Sequence, residues 1–149
     1  MTIFHSFNAS SSALTAQRLR MDVISANIAN AQTTRATVNE NGEYEPYRRK
    51  MVTVAPREGS FQSFLHKAAN AEKTDGVKVT GIVADDEPFK LVYNPAHPDA
   101  DDAGYVQLPN VDPLKEMVDL MSATRSYEAN ITALNASKSM LMKALEIGK

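Results

Sequence analysis

Three groups of residues in this 149-residue chain have the types and spacing for chemistry. The first is Asp99-Ala100-Asp101-Asp102-Ala103-Gly104. An EF-hand calcium loop wants side-chain oxygens at positions 1, 3 and 5, Gly at 6 and a bidentate Glu at 12. Asp99, Asp101 and Gly104 match that pattern. Ala103 replaces the ligand at position 5, and Asn110 stands where the Glu belongs. A loop lacking its bidentate ligand holds calcium weakly, so the stretch reads as a solvated acidic turn ahead of a strand. The second group, Asp85-Asp86-Glu87, offers paired carboxylates, but Pro88 follows and marks an exposed turn between strands. His5, His66 and His97 are far apart in the chain and have no metal-ligand spacing. There is no Cys, which excludes a disulfide, a thiolate metal site and a Cys nucleophile. No Gly-rich phosphate loop and no nucleophile motif is present. The sequence therefore predicts no catalytic residue, no metal and no cofactor, and the chain reads as a non-enzyme.

The third group is Asn27 and Asn30, in Ser25-Ala26-Asn27-Ile28-Ala29-Asn30-Ala31. Asn is a poor mid-helix residue because its amide competes for backbone groups. Two readings fit. One is a fraying helix end with Asn30 or a neighbour as cap. The other is a row of side-chain amides that bond to adjacent subunits.

Behind these groups stand the elements that must position them. The longest lies in the last third of the chain. Asp112 serves as N-cap and Pro113 as first helical residue, and no Gly or Pro interrupts from there to Ile147. A helix that long spans about 50 Å at 1.5 Å per residue. Met117, Leu120, Thr124, Tyr127, Ile131, Leu134, Lys138, Leu141 and Leu145 follow an alternating 3–4 spacing, a coiled-coil type pattern broken only at Thr124 and Lys138. A second row, Ala129, Ala133, Ala136, Met140, Ala144 and Ile147, lies on nearly the opposite side. A helix dry on two sides is buried between neighbours, either in a bundle or between chains. Residues of about 8–31 form a second predicted helix. Phe7, Leu14, Met21 and Ile28 recur every seven residues on one narrow stripe, and Ser10, Ser11 and Ser12 lower the local helix propensity.

Between the helices, residues 32–50 read as a loop with a turn at Asn39-Glu40-Asn41-Gly42. Strands are expected at 50–55, 77–83, 89–93 and 105–108, with a short strand or turn of helix near 60–65 and a flexible segment at 66–75. The fold class is mainly α with a small β insertion. Paired N- and C-terminal helices, coiled-coil-like, form an assembly domain from residues 1–35 and 111–149, and residues 36–110 form a β-rich middle region. A net charge of −2 gives no electrostatic case for nucleic acid or an anionic membrane. No apolar run approaches the ~20 residues of a membrane span. The N-terminal stretch lacks the basic start and continuous apolar core of a cleaved signal.

The N-terminal stretch Ser12-Ala13-Leu14 through Arg18-Leu19-Arg20-Met21-Asp22-Val23-Ile24-Ser25-Ala26-Asn27-Ile28-Ala29-Asn30 resembles the signature of the bacterial flagellar axial proteins. Gln32-Thr33-Thr34-Arg35, where many rod and hook proteins carry Thr-Pro-Gly-Tyr, resembles the proximal-rod form. So do Gly76-Val77-Lys78-Val79, Leu91-Val92-Tyr93-Asn94-Pro95, His97-Pro98-Asp99-Ala100 and Pro109-Asn110-Val111. Glu116-Met117-Val118 through Ser126-Tyr127-Glu128-Ala129-Asn130 to Lys143-Ala144-Leu145 is similar to the family's C-terminal motif. The resemblance implies a structural rod subunit of the basal body, in the periplasm, exported by the flagellar type III apparatus without a cleaved signal and transmitting torque. Implied partners are copies of itself, other rod proteins, the adaptor at the membrane ring and the export apparatus. Expected assembly residues are Phe7, Leu14, Met21, Asn27, Ile28, Asn30, Met117, Leu120, Tyr127, Ile131, Leu134, Ala136, Met140, Leu141, Ala144 and Leu145. A rival reading is a periplasmic ligand- or calcium-binding helical adaptor module.

Overall fold

The computed structural model describes residues 3–39, 42–57 and 76–147. The elements expected at 60–65 and 66–75 lie outside the described residues. Among the described residues, two long helices stand before and after six short strands in the sequence: α1 (Ile3–Ala29), β1 (Thr37–Val38), β2 (Tyr44–Glu45), β3 (Lys50–Pro56), β4 (Val77–Ala84), β5 (Lys90–Tyr93), β6 (Tyr105–Leu108) and α2 (Pro113–Ile147). The protein is mainly helical with a small β insertion. The chain divides into two compact units, one of Met1–Arg20, Val52–Gly81 and Ser122–Lys149, the other of Met21–Met51 and Ile82–Met121.

Helix α2 starts where its cap chemistry dictates. Asp112 Oδ1 accepts from the Leu114 amide at 3.0 Å, and the Asp112 carbonyl takes the first helical bond, from Glu116 N. One otherwise unpaired amide of the first turn is thereby satisfied. Helix α1 ends through Asn30. Its amide group bonds back to the Ala26 carbonyl at 2.9 Å, and its Oδ1 accepts from the Thr33 hydroxyl at 3.2 Å.

In the first unit, Ala16 of α1 and Ala123 and Ser137 of α2 are buried. Ser12 explains one oddity of the serine triplet. Its hydroxyl donates to the Ala9 carbonyl at 2.8 Å and accepts from the Val77 amide at 3.1 Å, fastening the start of β4 to α1. Gly76 sits just before that bond with φ +83°, and a Cβ there would press on Ser12 Oγ and come within 3.2 Å of Ala9 Cα. Only Gly meets both demands. Strands β3 and β4 form a two-stranded sheet. Flanking bonds, Arg57 N to Gly76 O and Asp85 N to Arg49 O, give it an antiparallel sense.

The second unit holds two hairpins. β1 and β2 pair Thr37 with Glu45 and Val38 with Tyr44 inside the stretch expected to be loop. The turn signal there was legible, with Gly42 at φ +82° and its amide bonded to the Asn39 carbonyl. The ladder is only two residues long, too short for period-2 alternation to register. β5 and β6 are antiparallel, with Lys90 opposite Leu108 and Tyr93 opposite Tyr105. The Tyr93 and Tyr105 rings meet edge to face at 5.3 Å. The apolar core of this unit is Val23, Ile24, Val106 and Val111.

Candidate functional site: a buried polar junction and open helix faces

The densest chemistry in the second unit gathers where α1 ends and α2 begins. Asn27 is 1% exposed and all four of its hydrogen-bonding positions are used. Its Nδ2 donates to the Lys50 carbonyl at 2.9 Å and to Glu116 Oε2 at 3.0 Å. Its Oδ1 accepts from the Lys50 amide and the Tyr47 hydroxyl, both at 3.0 Å. Toward Lys50 the side-chain amide thus behaves as a neighbouring strand would, offering one donor and one acceptor. Glu116, also 1% exposed, accepts from Arg49 Nε at 2.7 Å through its other oxygen. Arg49 Nη1 reaches Asp85 Oδ2 at 3.1 Å, and its Nη2 lies 3.7 Å from Asp119. The Arg49 amide donates to Asn110 Oδ1 at 2.7 Å, and Asn110 Nδ2 donates to the Glu87 carbonyl at 3.0 Å.

The electrostatics follow from these distances. Burial opposes the charge on Arg49, but the bonds it donates to Glu116 and Asp85 outweigh it and hold its pKa above the ordinary value. The Glu87 amide, then the Arg49 guanidinium, keeps the Asp85 carboxyl below the usual range. Burial, then the charge of Glu116, raises the Tyr47 phenol, which stays a donor to Asn27. Every charge here is matched by a fixed partner, which suits a structural joint.

The acidic loop is also committed to protein groups. Asp99 accepts from the Thr34 hydroxyl at 2.7 Å and from Arg35 Nε at 2.6 Å, and pairs with Arg35 Nη2. The Arg35 bond, then the Thr34 bond, lowers the Asp99 pKa. Asp101 Oδ1 accepts from the amides of Ala103 and Tyr105 at 3.0 and 2.8 Å. Asp99 and Asp101 thus hold the loop's shape and tie it to residues 34 and 35. No group of three or more His, Cys, Asp or Glu able to hold a metal occurs among the described residues. No described helix is long and apolar enough to cross a membrane.

The helix faces sort the remaining expected residues. On α2, Glu116, Ala123 and Ser137 are buried, and Leu120, Tyr127, Asn130, Leu134 and Leu141 half-buried. That line has strict 3–4 spacing but differs from the apolar seam read in the sequence. Leu120, Tyr127, Leu134 and Leu141 are shared. Met117, Ile131 and Lys138 give way to Glu116, Asn130 and Ser137, each one residue earlier, and Ala123 is buried next to the half-buried Thr124. The polar members tolerate that position because they are satisfied: Asn130 Nδ2 bonds the Ser126 carbonyl at 2.8 Å and Ser137 Oγ the Ala133 carbonyl at 3.0 Å. Met117, Ile131 and Leu145 therefore stand exposed, as do Ala136, Met140 and Ala144 of the second row. On α1 the buried positions are Ala16, Val23, Ile24 and Asn27. Phe7 is exposed, and Leu14, Met21, Ile28 and Asn30 are half-buried.

One patch was missed in the sequence. Leu114, Met117, Val118 and Met121 are between 45% and 72% exposed. Their i, i+3, i+4, i+7 spacing places them on one side of the first two turns of α2. At 100° per residue this side lies opposite the buried line, and from Arg125 onward the same side turns polar through Glu128, Thr132, Ser139 and Lys143. Averaged over 35 residues, the polar half of that face hides the apolar half.

Open apolar faces rimmed by polar residues are of the kind that other chains cover. Residues 7–37 match the family described as flagella basal body rod protein, and residues 102–147 match the C-terminal family of the flagellar basal body rod FlgEFG proteins. Over 151 residues the chain is 62% identical to the flagellar basal-body rod protein FlgC of Bacillus subtilis, covering all of both chains. It is 47% identical to FlgC of Borreliella burgdorferi, covering 99% of this chain and 98% of that one. The Salmonella typhimurium FlgC is 42% identical over the full length of both. The chain belongs to the FlgC-type flagellar basal-body rod proteins, structural subunits of the rod. Its place is the flagellar basal body, and it assembles with other rod and basal-body proteins.

Proposed function

We propose that this subunit is exported through the flagellar type III apparatus without a cleaved signal. It then builds, in the periplasm, a stretch of proximal rod that transmits torque, and it performs no catalysis. The terminal segments 1–35 and 111–149 supply the assembly contacts, and the middle region 36–110 lies outside the helical tube. Copies of the same chain, other rod proteins and the adaptor at the membrane ring are the neighbours. The observation that carries this reading is the row Ala129, Ala133, Ala136, Met140, Ala144 and Ile147, exposed along its whole length on α2. Small residues there let a neighbouring backbone approach closely. Exposed Met140, Met142, Met117 and Met121 suit interfaces that adapt to several partners.

The proposed contact surface comprises Phe7, Leu14, Met21 and Ile28 on α1. On α2 it comprises Leu114, Met117, Val118, Met121, Ile131, Ala136, Met140, Ala144 and Leu145. Leu120, Tyr127, Leu134 and Leu141 back it from the half-buried side. Asn30 ends α1 and Asn27 is committed within the chain, so neither is assigned to the surface.

Two substitutions test the reading. Ala136→Leu adds bulk on the open row and should cost ~1–3 kcal/mol at each rod contact. Monomer melting should barely change, while motility fails. Leu134→Ala removes a half-buried side chain and should lower monomer stability by about 1–2 kcal/mol, below the ~2–5 of full burial. Equal destabilisation of the monomer by both would make the open row part of an internal core and defeat the proposal.

A further inference from the structure

Helix ends joined by few apolar contacts need something else to fix their alignment. In the second unit, α1 buries only Val23 and Ile24 as apolar anchors. On α2 the first two turns turn Glu116 inward, while Leu114, Met117, Val118 and Met121 face out. Such a small apolar grip discriminates poorly between one alignment and another displaced by a helical turn. The polar junction discriminates sharply. Asn27 satisfies Lys50 N, Lys50 O, Tyr47 Oη and Glu116 Oε2 from one position, at 2.9 to 3.0 Å. Glu116 is 1% exposed, and its two oxygens accept from Asn27 and Arg49, one each. A one-turn slip, about 5.4 Å, would leave Glu116 charged, buried and unpaired, and would strip the start of β3 of both Asn27 bonds.

We infer that Asn27, Arg49 and Glu116 form a register lock. Their role is to select a single alignment of the end of α1 against the start of α2 and β3; as a set they add little to net stability, although removing one member alone strands the others. A buried ion pair is weak evidence for stability, because desolvation offsets its attraction, whereas fixing register is its best attested use. Asn is required at position 27 because only a short side-chain amide presents a donor and an acceptor to one strand residue. Asp would set an oxygen against Glu116 and the Lys50 carbonyl. Gln would overreach by a methylene. The lock deepens the rod reading, since a rod repeats any misalignment of Met21 and Ile28 against the outward patch of α2 in every copy.

The test uses the isolated full-length monomer, so it stands or falls apart from rod assembly. The chain has no native Cys, so spin labels at Ser25→Cys and Val118→Cys are unique. Both sites are exposed and lie in the second unit. Their distance distribution by pulsed electron resonance should be single and narrow. The triple variant Asn27→Leu, Arg49→Met, Glu116→Leu keeps volume and removes every charge of the lock. It should melt no lower than the parent, yet show a second distance held by roughly a tenth or more of the molecules. Glu116→Gln, which cannot accept at both oxygens, should show the same second distance at lower population. A single narrow distance in both variants would overturn the lock. So would an unfolded triple variant, because it would make the three residues a source of stability.

Discussion

Asn27 and Asn30 stand one turn apart in the same short motif, and the structure assigns them very different energies. Replacing Asn27 by Ala removes four hydrogen bonds. The bonds to Lys50 and Tyr47 are part-buried, so their freed groups regain water only in part. Glu116 does not, because it is 1% exposed and its Oε2 loses its partner. A buried unsatisfied group costs ~1–3 kcal/mol, more when charged, and each lost net bond adds ~0.5–1.5. With water recovering those partners in part, Asn27→Ala should cost about 2–4 kcal/mol. Asn30→Ala loses one exposed back-bond to Ala26 and a weak bond from Thr33, and should cost about 0.5 kcal/mol. Denaturant unfolding of the monomer reads both values. Amide exchange gives an independent reading, since protection of the Lys50 amide should drop roughly 30- to 1,000-fold in the Asn27 variant, at tenfold per 1.4 kcal/mol. Equal costs for the two substitutions would refute the assignment of Asn27 as the joint and Asn30 as a mere helix end.

Other expectations follow from single sites. Gly76→Ala should cost roughly 2 kcal/mol or more, because a left-handed backbone and pressure on Ser12 and Ala9 combine, whereas Gly42→Ala meets open space and should cost ~1–2 kcal/mol from the backbone alone; urea titration of each separates the terms. Asp112→Ala should remove the cap of α2 and cost ~1 kcal/mol, read as lower helix content at the start of α2. Asp85 and Asp99 have folded pKa values below their ordinary one. Their stabilisation is therefore full above about pH 4–5 and is lost as pH falls through the folded values. Asp85→Asn should flatten the acid limb of a stability-against-pH curve and leave the neutral limb's slope unchanged.

The sequence disclosed what depends on local rules. Asp112-Pro113 marked the start of α2, the β-branched run at 77–83 marked β4, and Asn39 to Gly42 marked a turn. It left open what depends on partners. Apolar periodicity set Met117 and Ile131 on one seam with Leu120 and Tyr127, whereas the side of α2 buried within the chain carries Glu116, Ala123 and Ser137. Nothing local tells that Glu116 will meet Arg49 and Asn27, 67 and 89 residues away. Asn27 itself looked anomalous in a helix, and that anomaly was the signal. Its solution, a side chain acting as a strand neighbour to Lys50, is a tertiary fact. The outward patch Leu114, Met117, Val118 and Met121 was hidden for a different reason, since its face becomes polar after two turns.

The claim that matters most is that open apolar faces of α2 are used in building the rod. It is tested most directly by Val118→Glu with Met121→Glu, introduced as the sole copy in a flagellated cell. Both side chains are exposed, so the purified monomer should melt within about 4 °C of the parent, as two surface changes of ~0.5 kcal/mol each allow. Basal bodies isolated from those cells should lack a completed rod when viewed by electron microscopy. Normal rods in cells carrying two added charges on that face would contradict the account.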